Sequence, residues 1–89
     1  MVCKVVNLRK EKYDVYIGRP SYFGNPFSIG EAGNREQVIA LFSNYFYSRL
    51  KWDKIFKFRV NRLKGKTLGC WCKPLSCHGD IIAEYLNNL

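Results

Sequence analysis

Residues 67–72, Thr-Leu-Gly-Cys-Trp-Cys, form an apolar run that reads as a buried strand. Lys73-Pro74-Leu75-Ser76 reads as a short loop, because proline disfavours both helix and strand. Beyond it, Ile81, Ile82, Tyr85, Leu86 and Leu89 recur at helical spacing, which predicts a last helix from Cys77 or His78 to about Asn87 with those residues as its buried face. A strand that passes through a tight loop into a helix is the unit from which α/β folds are built. In a chain of 89 residues it leaves room for one domain, residues 1–89.

The rest of the chain is consistent with that unit. Residues 2–8 are apolar and β-branched and read as a first strand, Arg9-Lys10-Glu11-Lys12 as a charged turn, and Tyr13 to Ile17 as a second short strand. Residues 18–33 carry Gly18, Pro20, Gly24, Asn25, Pro26, Gly30 and Gly33, which is loop punctuation. Asn34 with Gln37 forms a capping box, and Val38, Leu41, Phe42, Tyr45, Phe46 and Leu50 form a helical stripe behind it. A second helix is predicted from Asp53, as N-cap, to about Leu63, ended by Gly65. Its buried stripe is Trp52, Ile55, Phe56, Val60 and Leu63, with Phe58 off the stripe and exposed. The expectation is a two-layer or thin three-layer α/β domain with a mainly parallel sheet of about three strands and about three helices.

A hydrophobic content of 47% with 16% aromatics excludes a disordered chain. The formal charge of +8 favours an anionic partner, nucleotide or nucleic acid. No apolar run approaches the ~18–20 residues that a membrane span needs, so no membrane partner is expected. The first ten residues lack the apolar block of a signal peptide, which points to the cytoplasm, the host's if the source is a virus. Four cysteines in that setting imply thiols, a metal site or a reactive cysteine rather than disulfides. No feature specifies an oligomeric state.

The densest chemistry is Cys70-Trp71-Cys72-Lys73-Pro74-Leu75-Ser76-Cys77-His78-Gly79-Asp80, which holds three of the four cysteines and the one histidine. It lies between the end of a strand and the start of a helix, where α/β proteins bind ligands and where the helix dipole favours an anion and a thiolate. Three readings stay open. Cys72, Cys77 and His78, with or without Cys70, have the right atoms for zinc, although adjacent Cys77 and His78 depart from the usual paired spacing. Alternatively, Cys72 or Cys77 is a nucleophile with His78 and Asp80 as acid/base partners. Or the cysteines are core and Cys77 and His78 only cap a helix.

A second motif, Gly18-Arg19-Pro20-(x)3-Gly24-Asn25-Pro26-Phe27, combines close backbone approach at Gly18 and Gly24 with a guanidinium suited to a phosphate or carboxylate. A third feature is the basic stretch from Arg49 to Lys66, in which Lys51, Lys54, Arg59 and Arg62 are nucleic-acid candidates on the solvated side of the second helix.

Together, Val6-Asn7-Leu8-Arg9, Tyr16-Ile17-Gly18-Arg19-Pro20, Gly24-Asn25-Pro26-Phe27 and Cys70-Trp71-Cys72-Lys73-Pro74…Cys77-His78-Gly79-Asp80 resemble domain of unknown function 4326, a family of bacteria, their phages and other viruses. The resemblance covers nearly the whole chain. It implies that the Gly-Arg-Pro/Gly-Asn-Pro-Phe loop and the Cys-His loop are one composite site, with no choice among metal, thiol and nucleotide. In that composite, Arg19 and the start of the last helix would hold an anionic group, and Asn7, Arg9, Gly18, Gly24 and Asn25 would line it. Cys72, Cys77, His78 and Asp80 would supply reactivity. The leading expectation is binding or processing of a nucleotide or other phosphate-bearing ligand. The alternative is a basic nucleic-acid-binding or protein-interaction module with a structural Cys/His site.

Overall fold

A computed structural model describes residues 2–89. Its elements run β1 (Lys4–Asn7), β2 (Val15–Tyr16), α1 (Arg35–Trp52), α2 (Lys54–Asn61), β3 (Thr67–Cys70) and α3 (His78–Asn87). The expected α/β class holds, with a three-stranded sheet ordered β1-β3-β2 and both pairs parallel. The last strand in sequence is therefore the central one, which explains why Leu68, Gly69 and Cys70 are all buried.

Register sorts the side chains. Val5, Leu68 and Val15 stand side by side on one face, and Val6, Gly69 and Tyr16 on the other. The first face receives α3. A Cβ on Gly79 would lie 2.5 Å from Ile17 Cδ1 and 3.1 Å from Val5 Cγ1, so the first turn of α3 presses on the sheet as only a glycine allows. β2 is shorter than expected, yet its ladder continues at both ends through Asp14 N–H to Thr67 O (2.8 Å) and Ile17 N–H to Gly69 O (3.0 Å).

The capping box at Asn34 and Gln37 and the Asp53 cap are both present. α1 buries Val38, Phe42, Phe46 and Leu50 at successive four-residue steps, but Leu41 is exposed. Phe46 is fully buried, with its ring centroid 5.6 Å from those of Phe42 and Tyr85 and 5.8 Å from that of Phe56. Three expected core positions are corrected. Trp52 and Ile55 are exposed because the chain breaks at Asp53: Trp52 ends α1, and α2 restarts with Phe56, Val60 and Leu63 inward, leaving Ile55 about 100° round the helix from Phe56. Leu89 is exposed because it lies past the end of α3. Among the described residues, no helix is long and apolar enough to cross a membrane.

Candidate functional site

Parallel strands end together, and the loops leaving them enclose space. Here the C-terminal ends of β2 and β3 and the first turns of α1 and α3 enclose a cavity of about 300 Å³. Gly18, Arg19 and Asn25 from the first loop line it, as do Cys72, Cys77 and His78 from the second, so the two loops share one cavity. Arg35, Ser76, Cys70, Trp71, Tyr16, Phe27, Ile29, Val38 and Ile39 complete the lining, which holds no Asp or Glu.

The loops are braced from outside. Asn25 accepts from the Phe27 N–H (2.9 Å) and donates to the Val38 carbonyl (3.2 Å), tying the first loop to α1. The Arg19 guanidinium donates to Ser28 Oγ, and that of Arg35 to the Ser76 carbonyl (3.2 Å). Trp71 Nε1 donates to Tyr16 Oη (3.0 Å), which donates to the Arg19 carbonyl (2.7 Å), while the Arg9 guanidinium lies 4.8 Å from the Trp71 ring. The Arg19–Pro20 and Lys73–Pro74 peptides are cis.

At the floor, Cys77 caps α3, with its Sγ 3.4 Å from the Gly79 N. The same sulfur lies 2.9 Å from Cys70 Sγ and 3.6 Å from His78 Nδ1. His78 Nε2 is 2.8 Å from the Ile17 carbonyl oxygen. A carbonyl only accepts, so Nε2 carries the proton and Nδ1 turns its lone pair toward Cys77. The bond from Cys77 holds the Cys70 thiol down to about 6 against the opposing effect of burial, with help from the Lys73 and Cys72 backbone N–H groups. Cys77 is pushed up, first because its S–H donates to the Cys70 sulfur and then by burial. The hydrogen bond from Cys77 thus favours the charged form of Cys70, and burial favours the neutral form of the His78 imidazole.

Burial drives the His78 imidazole below its ordinary value of 6.5, against the opposing bond to Ile17. The unfolded chain then takes up a proton that the folded chain refuses, so stability present above about pH 6.5 is lost as pH falls toward the lower folded value. Urea midpoints are expected to drop from about pH 7.5 to about pH 5, and less steeply in His78→Gln. An equal drop in both proteins would assign the effect to other groups.

Several expected site residues lie behind the cavity wall. Asn7 donates to the Lys73 carbonyl (2.8 Å) and accepts from the Arg9 N–H (2.9 Å), bracing the Cys-His loop against β1. Asp80 accepts from the Cys77 N–H (3.1 Å) and pairs with Lys73, completing the cap of α3. Gly24 closes a turn on Ser21 (3.0 Å). Among the described residues, no group of three or more His, Cys, Asp or Glu is placed to hold a metal ion. Within the zinc set Cys72, Cys77 and His78, Nε2 of His78 is taken by the Ile17 carbonyl, while its Nδ1 and the Cys70 sulfur both face the Cys77 sulfur. Lys51, Lys54, Arg59 and Arg62 are all exposed, with Lys51 in the last turn of α1 rather than on the second helix, and Arg59 4.6 Å from the Tyr22 ring. Arg35 was not legible as a site residue, because it comes from the start of α1, which carries no distinctive chemistry, and Ser76, although inside the Cys-His segment, read only as loop.

The family model "Domain of unknown function (DUF4326)" matches residues 3–88. The chain belongs to that family. It is 46% identical over 88 residues to an uncharacterized 12.4 kDa protein in the nrdA-td intergenic region of Enterobacteria phage T4, covering 99% of this chain and 81% of that one. It is 33% identical over 89 residues to an uncharacterized protein of Acanthamoeba polyphaga mimivirus, covering 80% of this chain and 65% of that one. No solved structure matches. The family match spans every residue that lines the cavity.

Proposed function

We propose that the cavity binds a small phosphate-bearing ligand with a flat ring, a nucleotide by chemical class. The observation that carries this reading is the charge and shape of the lining: two guanidinium groups, Arg19 and Arg35, no carboxylate, and apolar and aromatic walls that include Phe27 and Trp71. Guanidinium groups suit phosphate oxygens, and ring walls suit a base. A volume of about 300 Å³ is at the small end of ligand pockets and favours one nucleotide unit over a dinucleotide. The first turn of α3, at Cys77 and His78, adds the positive end of a helix dipole. The Cys70 sulfur at the floor, which accepts the hydrogen bond from Cys77, is the nucleophile this reading offers for processing what the site binds.

The test is calorimetric titration of mononucleotides and inorganic phosphate into the wild type, Arg19→Ala and Arg35→Ala. A hydrogen bond to a charged group is worth about 1.5–3 kcal/mol, so each variant is expected to bind roughly ten- to a hundredfold more weakly. Nucleotides are expected to bind more tightly than phosphate alone, because the walls hold the base. Absence of binding by every probe, or unchanged affinity in both variants, would overturn the reading.

A further inference from the structure

α2 is apolar on two faces. Phe56 and Val60 point into the core, yet Ile55 and Phe58 are 65% and 63% exposed, and Trp52 at the preceding corner is 69% exposed. Ile55, Phe58 and Arg62 are spaced i, i+3, i+7, so they share one outward face, and the Arg62 guanidinium lies 5.7 Å from the Phe58 ring. Lys54 and Lys57 are exposed on the same helix. Asp53 is the sole acid between residues 49 and 66, and it is occupied. Its carboxylate caps α2 through the Phe56 N–H (3.0 Å) and pairs with Arg49 (3.0 Å). None of these residues lines the cavity.

Large exposed apolar side chains grouped on one surface mark a binding site, and unneutralised cations among them select an anionic partner. We infer that this outward face of α2, with Trp52, is a second site that binds single-stranded nucleic acid. Unpaired bases stack on separated rings such as Trp52 and Phe58, while the phosphates between them meet Lys54, Lys57 and Arg62. A second copy of the chain fits less well, because it brings the same cations and a further charge of +8. A membrane surface also fits less well, because α2 has eight residues and two outward apolar side chains, short of a membrane-lying helix. A duplex offers phosphates but no unstacked base.

The test is fluorescence anisotropy of labelled oligo(dT) at two salt concentrations, with duplex DNA and phosphatidylserine vesicles as competitors. The wild type is expected to bind the single strand, more weakly as salt rises. Stacking of a base is worth about 1–3 kcal/mol, so Trp52→Ala and Phe58→Ala are each expected to weaken binding about fivefold or more. A Lys54→Glu, Lys57→Glu double variant is expected to weaken it and flatten its salt dependence, and Arg19→Ala to leave it unchanged. All these side chains are exposed or half-exposed, so circular dichroism is expected to report an intact fold. The inference is overturned by no binding of oligo(dT), by wild-type affinity in both ring variants, or by duplex or vesicles competing as well as the single strand. Loss of binding in Arg19→Ala alone would also overturn it, by moving the oligonucleotide into the cavity.

Discussion

Phe46→Ala is expected to destabilise the fold by about 3–5 kcal/mol, the range for emptying a buried phenylalanine site. The residue has no solvent exposure, and its ring meets rings from α1, α2 and α3, so all three helices lose a shared partner at once. Domains as a class have about 5–15 kcal/mol of stability, and small ones sit at the lower end. The variant is therefore expected to lose most of its margin, with a urea midpoint far below the wild type and a weakened near-ultraviolet dichroism signal. Trp52→Ala is the control, because truncation of an exposed side chain falls within about 0.5 kcal/mol. If the two variants unfolded at similar denaturant concentrations, the central role of the Phe46 ring cluster would be refuted.

The second large effect concerns Cys70. Alkylation by iodoacetamide, followed at the Cys70 peptide by mass spectrometry, is expected to rise with pH through an inflection near 6 rather than near the ordinary value of 9.0. The thiolate is the reacting form, so the lowered pKa leaves most Cys70 ionised at neutral pH, where an ordinary thiol is only about a hundredth ionised, and its 1% exposure restricts the reaction to reagent that enters the cavity. A thiol of low pKa is intrinsically less nucleophilic, which trims the gain without removing it. Cys77→Ala removes the hydrogen bond that holds the pKa down, and its inflection is expected to move up, slowing the reaction at neutral pH about tenfold or more. Alanine also removes the cap of α3, so Cys77→Ser is the paired variant. Its hydroxyl keeps both the cap and a donor to Cys70, and the low inflection is expected to return in part. A wild-type inflection near 9.0, or one that Cys77→Ala leaves in place, would show that the sulfur pair does not act as a unit.

Cys70 also shows how far residue types carry an assignment of roles. Three cysteines and a histidine in one short segment pointed to a site shared with the Gly-Arg-Pro loop, and residues of both loops line one cavity. Roles within the segment followed a different logic. Cys72 and Cys77 were the nucleophile candidates, and the structure sets the Cys77 sulfur against that of Cys70 at the end of β3. Asp80 was an acid/base candidate, but its carboxylate is held by Lys73 and the Cys77 N–H. Which side chain meets which across a loop depends on how the loop closes, and the proline and serine between Cys72 and Cys77 leave several closures open.

Helix ends and inner helix faces were readable because their information is local. The Asn34–Gln37 box, the Asp53 cap and the Val38-Phe42-Phe46-Leu50 stripe each depend on residues within one or two turns. The β–loop–α unit from Thr67 to Asn87 was readable for the same reason. The order β1-β3-β2 was not, because pairing Lys4–Asn7 and Val15–Tyr16 on opposite edges of β3 joins segments more than fifty residues apart. The outward turn of Trp52 and Ile55 was not either. Apolar character places a residue on a helix face, but the packing of α1 and α2 about Phe46 and Phe56 decides which face is inside. Local chemistry thus specifies elements, caps and the neighbourhood of the site. The partners of Cys70, the reach of Arg35 and the exposed ridge on α2 arise from contacts between distant segments, where burial and packing select among arrangements that the chain admits equally well locally.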